Sequence, residues 1–257
     1  MLTPPEIARS LLAAGESKAR LPFGKMLLLA ILAGAYIALA GVGATAAAVT
    51  GESGSLAKLL SACVFPAGLS MVILAGSELF TGNCLMVMAL LERRITPAQL
   101  LRNWLTVYLG NAMGGAAVAA LAVYSHTASL FGDGLARSMV SIAESKAALG
   151  AGDAFLRGVL CNFLVCLAVW MAAASKRAEG KVIALFFPIL LFVLCGYEHC
   201  IANLYYLPAG AFAAAEYGVE TMLTLAGCLE NLAAVTLGNL VGGAALGVGY
   251  RFAYLKE

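Results

Sequence analysis

Charge is scarce in this chain. Asp, Glu, Lys and Arg make up 12% of its 257 residues, whereas 62% are hydrophobic and the mean hydropathy is +0.91. Soluble domains carry about 25% charged residues, so a soluble globular fold is excluded and an all-α integral membrane protein is expected. The formal net charge is only +2, which implies no polyanion-binding face and no nucleic-acid partner. Cysteine pairing is also missing. Cys63, Cys84, Cys161, Cys166, Cys195, Cys200 and Cys228 are scattered singly, mostly in apolar runs where a thiol behaves as a small hydrophobe. No CxxC or mixed Cys/His spacing suggests a metal site. A cleavable signal peptide is not visible either. Residues 1–24 instead read as a cytoplasmic amphipathic segment, with Ile7, Leu11 and Leu12 on one side of "PPEIARSLLAAGESKA". Such a segment suits the membrane surface.

Long apolar runs are what the chain has in abundance. A span needs about 20 apolar residues, and six candidates occur at 25–49, 58–91, 100–124, 153–174, 182–210 and 221–250. The second holds Pro66, Gly68, Gly76, Glu78, Thr81, Gly82 and Asn83. The fifth holds Pro188, Gly196, Glu198, His199, Asn203 and Pro208. Breakers and polar groups survive at membrane depth only where protein or a water-filled cavity satisfies the backbone, so both segments are expected to be broken helices lining a route. Lys25, Arg93, Arg94, Arg102, Lys176, Arg177, Lys181, Arg251 and Lys256 collect on one side, against Lys58, Arg137, Lys146 and Arg157 on the other. The basic excess predicts that both termini are cytoplasmic.

The two odd segments repeat each other. "GSELFTGN" (76–83) and "GYEHCIAN" (196–203) share G-x-E-x-x-x-x-N, and "NWLTVYLGNAMGG" (103–115) and "NLAAVTLGNLVGG" (231–243) share N-x6-G-N-x2-G-G. A duplication of three spans, 25–130 and 150–257, follows. Because three is odd, the second copy enters the membrane from the opposite side. Inverted repeats place a binding site near the midplane, where their interrupted segments meet. The shared glycines at 110, 114, 115, 238, 242 and 243 read as close helix packing. "GNAMGG" lacks the preceding strand and following Lys-Ser/Thr of a phosphate loop.

Ionisable groups inside a membrane segment point to function. His199 is one of only two histidines, and the other, His126, falls in a loop. A twin-histidine ammonium channel is therefore unsupported. Ser70, Ser77 and Thr81 are available hydroxyls, but no serine elbow or triad spacing accompanies His199, so an intramembrane enzyme is the weaker alternative. Asn83 and Asn203 are not followed by Pro-Ala, the signature of neutral-solute channels. Glu198 and His199 would point about 100° apart on a helix, which predicts separate jobs. Glu78 and Glu198, with Asn83 and Asn203, are expected to anchor the broken loops, the carboxylates accepting from free loop N–H groups. Lys146 is either a solvated loop lysine or a cation that concentrates anions at a pore mouth.

"SELFTGN", "NFLVCLAVWMA" and "GYEHCIANLYYLPAG" closely resemble motifs of the formate/nitrite transporter family, in order and over most of the chain. The resemblance implies a homopentamer of six-span, aquaporin-like protomers in the prokaryotic inner membrane, each with its own pore and no cofactor. It implies that His199 is the central histidine, hydrogen-bonded by Thr81. Phe65, Leu69 and Phe192 would form an outer constriction, Leu79, Phe80 and Val165 an inner one, and Asn162 and Lys146 would polarise the route. Formate, with nitrite or hydrosulfide as alternatives, would cross after transient protonation. His199 would either donate that proton or set a positive potential, since its ordinary pKa of about 6.5 lies near neutrality.

Overall fold

A computed structural model describes residues 1–51 and 53–255, and every described element is helical. Helix α1 (Pro4–Ala19) opens on a capping box between Thr3 and Glu6. Helix α2 (Phe23–Val49) is the first span. Helices α3 (Gly54–Val64) and α4 (Pro66–Ala75) meet at Pro66 and together make the second, Gly54–Ala75. That segment resumes after a break as α5 (Phe80–Asn83), a single 3-10 turn, and α6 (Val87–Leu91). Helix α7 (Pro97–Tyr124) starts on a second capping box, Thr96 with Gln99. Helix α8 (Gly134–Ala147) leads to α9 (Ala151–Ala173), α10 (Ala178–Leu194), α11 (Cys200–Tyr217) and α12 (Leu225–Tyr254).

Five of these helical stretches are long and apolar enough to cross a membrane. The fifth expected segment is not among them, because it is divided between α10 and α11. It reaches Tyr217 rather than residue 210, and the sixth begins at Leu225 rather than 221.

Glycine sets the closest helix contacts. A Cβ on Gly114 would collide with Ile31 O of α2, and one on Gly242 with Val159 O of α9. Gly34 faces the Asn111 backbone and Gly238 faces Phe155 O in the same way. Thus α2 packs on α7, and α9 on α12, with backbone against backbone. The two pairs occupy matching places in the two halves.

Two expectations are corrected here. Helix α1 packs against α6, the 3-10 turn, α9 and α12, with Ile7 and Ala8 buried beside Met88 and Trp170. It is part of the protein body rather than a separate surface helix, because its apolar side meets the apolar ends of those helices. Lys146 is likewise not in a loop but in the last turn of α8.

Candidate functional site

The two breaks are built alike. Helix α4 ends at Gly76 and α10 runs out at Gly196, with φ of 78° and 69°. This left-handed conformation is open to glycine without strain. The chain then runs extended and delivers Glu78 N–H to Leu29 O (3.2 Å) and Glu198 N–H to Arg157 O (3.3 Å). One asparagine closes each break. Asn111 Nδ2 donates to Ala30 O and Glu78 O, and its Oδ1 accepts from Phe80 N–H. Asn239 Nδ2 donates to Gly158 O and Glu198 O, and its Oδ1 accepts from Cys200 N–H. Both are fully buried. Each ties a preceding helix, the break and the restarting helix together, satisfying backbone groups that no water reaches.

The carboxylates take side-chain partners. Lys18 Nζ lies 2.8 Å from Glu78 Oε1 and 2.9 Å from Asn83 Oδ1. Lys146 Nζ lies 2.9 Å from both oxygens of Glu198. Asn83 and Asn203 each donate to their carboxylate at 2.7 Å, then to Asn103 Oδ1 and Asn231 Oδ1. The expected anchoring by loop N–H groups is therefore corrected. Those N–H groups bond to carbonyls and to Asn111 and Asn239, which leaves the carboxylates to pair with lysine.

His199 and Glu198 also part company differently from expectation. His199 caps α11 in an extended conformation, φ −113° and ψ 113°. The local backbone is not helical, and successive side chains of extended chain point to opposite sides. His199 Nδ1 accepts from Ala202 N–H at 3.0 Å. A backbone N–H can only donate, so the ring proton sits on Nε2. That nitrogen lies 3.0 Å from Thr81 Oγ1, and it donates to the hydroxyl, leaving the Thr81 O–H free to donate onward. Thr81 O in turn accepts from Asn162 Nδ2 (3.3 Å) and Cys166 Sγ (3.3 Å), and Asn162 also donates to Asn239 O (2.7 Å).

Two cavities approach this pair. The smaller, about 130 Å³, is bordered by His199, Glu198, Lys146, Lys58, Phe65 and Phe192. Phe192 stacks on His199 at 5.8 Å and meets Phe65 edge-on at 5.6 Å. The larger, about 550 Å³, is bordered by Lys18, Glu78, Asn83, Leu79 and Leu69 among others. Leu69 thus borders the cavity opposite to the one shared by Phe65 and Phe192, with which it was grouped. Phe80 is buried against Tyr108 (5.1 Å) and Trp104 (6.4 Å), and Val165 is buried in the same apolar cluster as Phe80, Leu79 and Phe192.

Lys18, Asn111 and Asn239 escaped the reading of the sequence, although signals for them exist. "ESKA" occurs at 16–19 and again at 144–147, so Lys18 matches Lys146, and the correspondence of the halves extends upstream of residues 25 and 150. Asn111 and Asn239 stand in the repeated G-N, directly after the packing glycines 110 and 238.

Residues 5–253 match the family model described as formate/nitrite transporter. The chain is 38% identical to a probable formate transporter of Methanothermobacter thermautotrophicus, covering 99% of this chain and 98% of that one. It is 40% identical to the formate channel FocA of Haemophilus influenzae, over 86% and 84% of the two chains. Among solved structures, it resembles a pentameric formate channel with formate bound, at a TM-score of 0.80, 33% identity and coverage of 91% and 98%.

Proposed function

Because the chain belongs to the formate/nitrite transporter family, we propose that it carries small monovalent anions, formate foremost, through a pore in each protomer of a homopentamer. The pentamer lies in the cytoplasmic membrane with both termini inside, the side of the Lys/Arg excess. The larger cavity then opens to the cytoplasm and the smaller one to the exterior. A single observation carries the reading. His199, hydrogen-bonded to Thr81, borders the smaller cavity with Phe65 and Phe192, while Leu79 and Gly82, close to Thr81 in sequence, border the larger.

An ion pays a heavy desolvation cost between such apolar rings, whereas a small neutral acid does not. Desolvation raises the pKa of an entering carboxylate, so formate takes a proton and crosses as formic acid. Vestibule water supplies that proton. A neutral imidazole that gave up its Nε2 proton would become an imidazolate, and a charged one would lose its bond from Ala202 N–H. His199 therefore orients Thr81, and the Thr81 hydroxyl donates to the passing oxygen. Glu78, Glu198, Asn83, Asn203 and Asn162 hold this geometry from behind.

Proteoliposomes holding a pH dye test the reading. A formate gradient imposed on them should acidify the lumen by one proton per formate, faster than in protein-free vesicles and without building a membrane potential. Formate should outpace acetate and lactate. Flux that builds a potential with no acidification would mean that the anion crosses charged, and would overturn the protonation step.

A further inference from the structure

Each cavity is bordered by one buried carboxylate and two lysines, yet only one lysine of each pair is neutralised. In the larger cavity Lys18 pairs with Glu78 and Lys25 is exposed. In the smaller, Lys146 pairs with Glu198 and Lys58 is exposed. Lys146 was expected, from the family resemblance, to draw the anion in. Its Nζ is held at 2.9 Å by both Glu198 oxygens, and the side chains are only 14% and 7% exposed. Such a unit is close to neutral when seen from the cavity, and its field falls off as a dipole rather than a charge.

Lys58 is different. It stands near the start of α3 and borders the same cavity. Among the described residues it makes no ion pair or hydrogen bond. Its Nζ lies 4.0 Å from where a Cβ on Gly196 would sit, so it overhangs the break that carries Glu198 and His199. The cavity wall therefore sums to one net positive charge, and that charge is on Lys58.

We infer that Lys58 is the residue that concentrates anions in the smaller cavity, while Lys146 is a positioning residue that neutralises Glu198. Lys25 holds the corresponding net charge at the larger cavity. The inference rests on the anion-transport reading above. It gives an entry step governed by one exposed charge, and so by ionic strength.

The magnitude follows from Coulomb's law. A unit charge about 7 Å away in water raises local anion concentration about three-fold. Initial formate uptake by proteoliposomes, measured against concentration, is the experiment. In Lys58→Gln the half-saturating concentration should rise about three-fold, and Lys58→Met, which also keeps an apolar stem, should behave the same. Lys58→Arg should restore the wild-type value. Added potassium gluconate should slow wild-type uptake at low formate and affect the neutral variants much less. Size-exclusion profiles establish that each variant assembles. Wild-type uptake with an unchanged half-saturation and salt response in both neutral variants would overturn this inference alone. A wild-type protein that moves no monovalent anion would overturn the transport reading and this inference with it.

Discussion

Replacing Lys146 by methionine removes the cation from the most enclosed ion pair among the described residues. Met keeps the length of the stem and its packing, so the change isolates the charge. What remains is Glu198, 5% exposed, with Asn203 Nδ2 at 2.7 Å as its one other side-chain donor among the described residues. Removing one partner of a buried pair costs about 3–5 kcal/mol, because the other is left as an uncompensated charge. With about 2–4 °C per kcal/mol for a chain of this size, the loss is roughly 6–20 °C in the temperature of disassembly. Glu198→Gln should cost less, about 1–2 kcal/mol. Its amide oxygen still accepts from Asn203, and the freed lysine lies 5.3 Å from the Tyr206 ring and can turn toward cavity water. The double variant Lys146→Met/Glu198→Gln leaves no buried charge at the second break and should recover at least half of the Lys146→Met loss. The assay is size-exclusion chromatography of detergent-solubilised protein after graded heating. If Lys146→Met matches the wild type, or if the two losses simply add, the pair does not anchor the second break.

Other consequences are checked by the same or simpler means. Gly242→Ala and Gly114→Ala should each lose about 1–3 kcal/mol, because the added methyl meets the backbone of Val159 or Ile31, whereas Gly249→Ala, with nothing within 4 Å, should be neutral; heated size-exclusion profiles would show it. Outside the spans, Glu144 is held below its ordinary value of 4.5 by Met222 N–H and the Thr221 hydroxyl. Its folded value is depressed, so this tether between α8 and the loop before α12 is complete above 4.5 and is lost as pH falls through the lower folded value. Met222 amide exchange, compared at each pH with Glu144→Gln, should differ at neutral pH and converge in acid.

The composition, the six apolar stretches and the repeated G-x-E-x-x-x-x-N were enough to specify a membrane protein with two broken segments. Those features are local: a run of apolar residues has no stable place in water, and a Gly-Glu-Asn cluster has none in plain hydrocarbon. The resemblance motifs also named Thr81 and His199, whose hydrogen bond joins residues 118 apart in sequence. Partner choice was beyond the sequence, because it depends on which backbone groups are left unsatisfied after the helices pack. Asn111 and Asn239 took the loop N–H groups, so Glu78 and Glu198 were left to lysine. Lys18 and Lys146 reach those carboxylates only because α1 and α8 fold back over the breaks. Extended backbone at His199, rather than a helical turn, then separated it from Glu198. The sequence by itself determined the membrane and the two broken segments, since these follow from hydropathy and from the order of polar groups along the chain. Which lysine is neutralised and which borders its cavity without a carboxylate was decided only in three dimensions, because charge compensation depends on distances of a few ångströms between helices far apart in sequence.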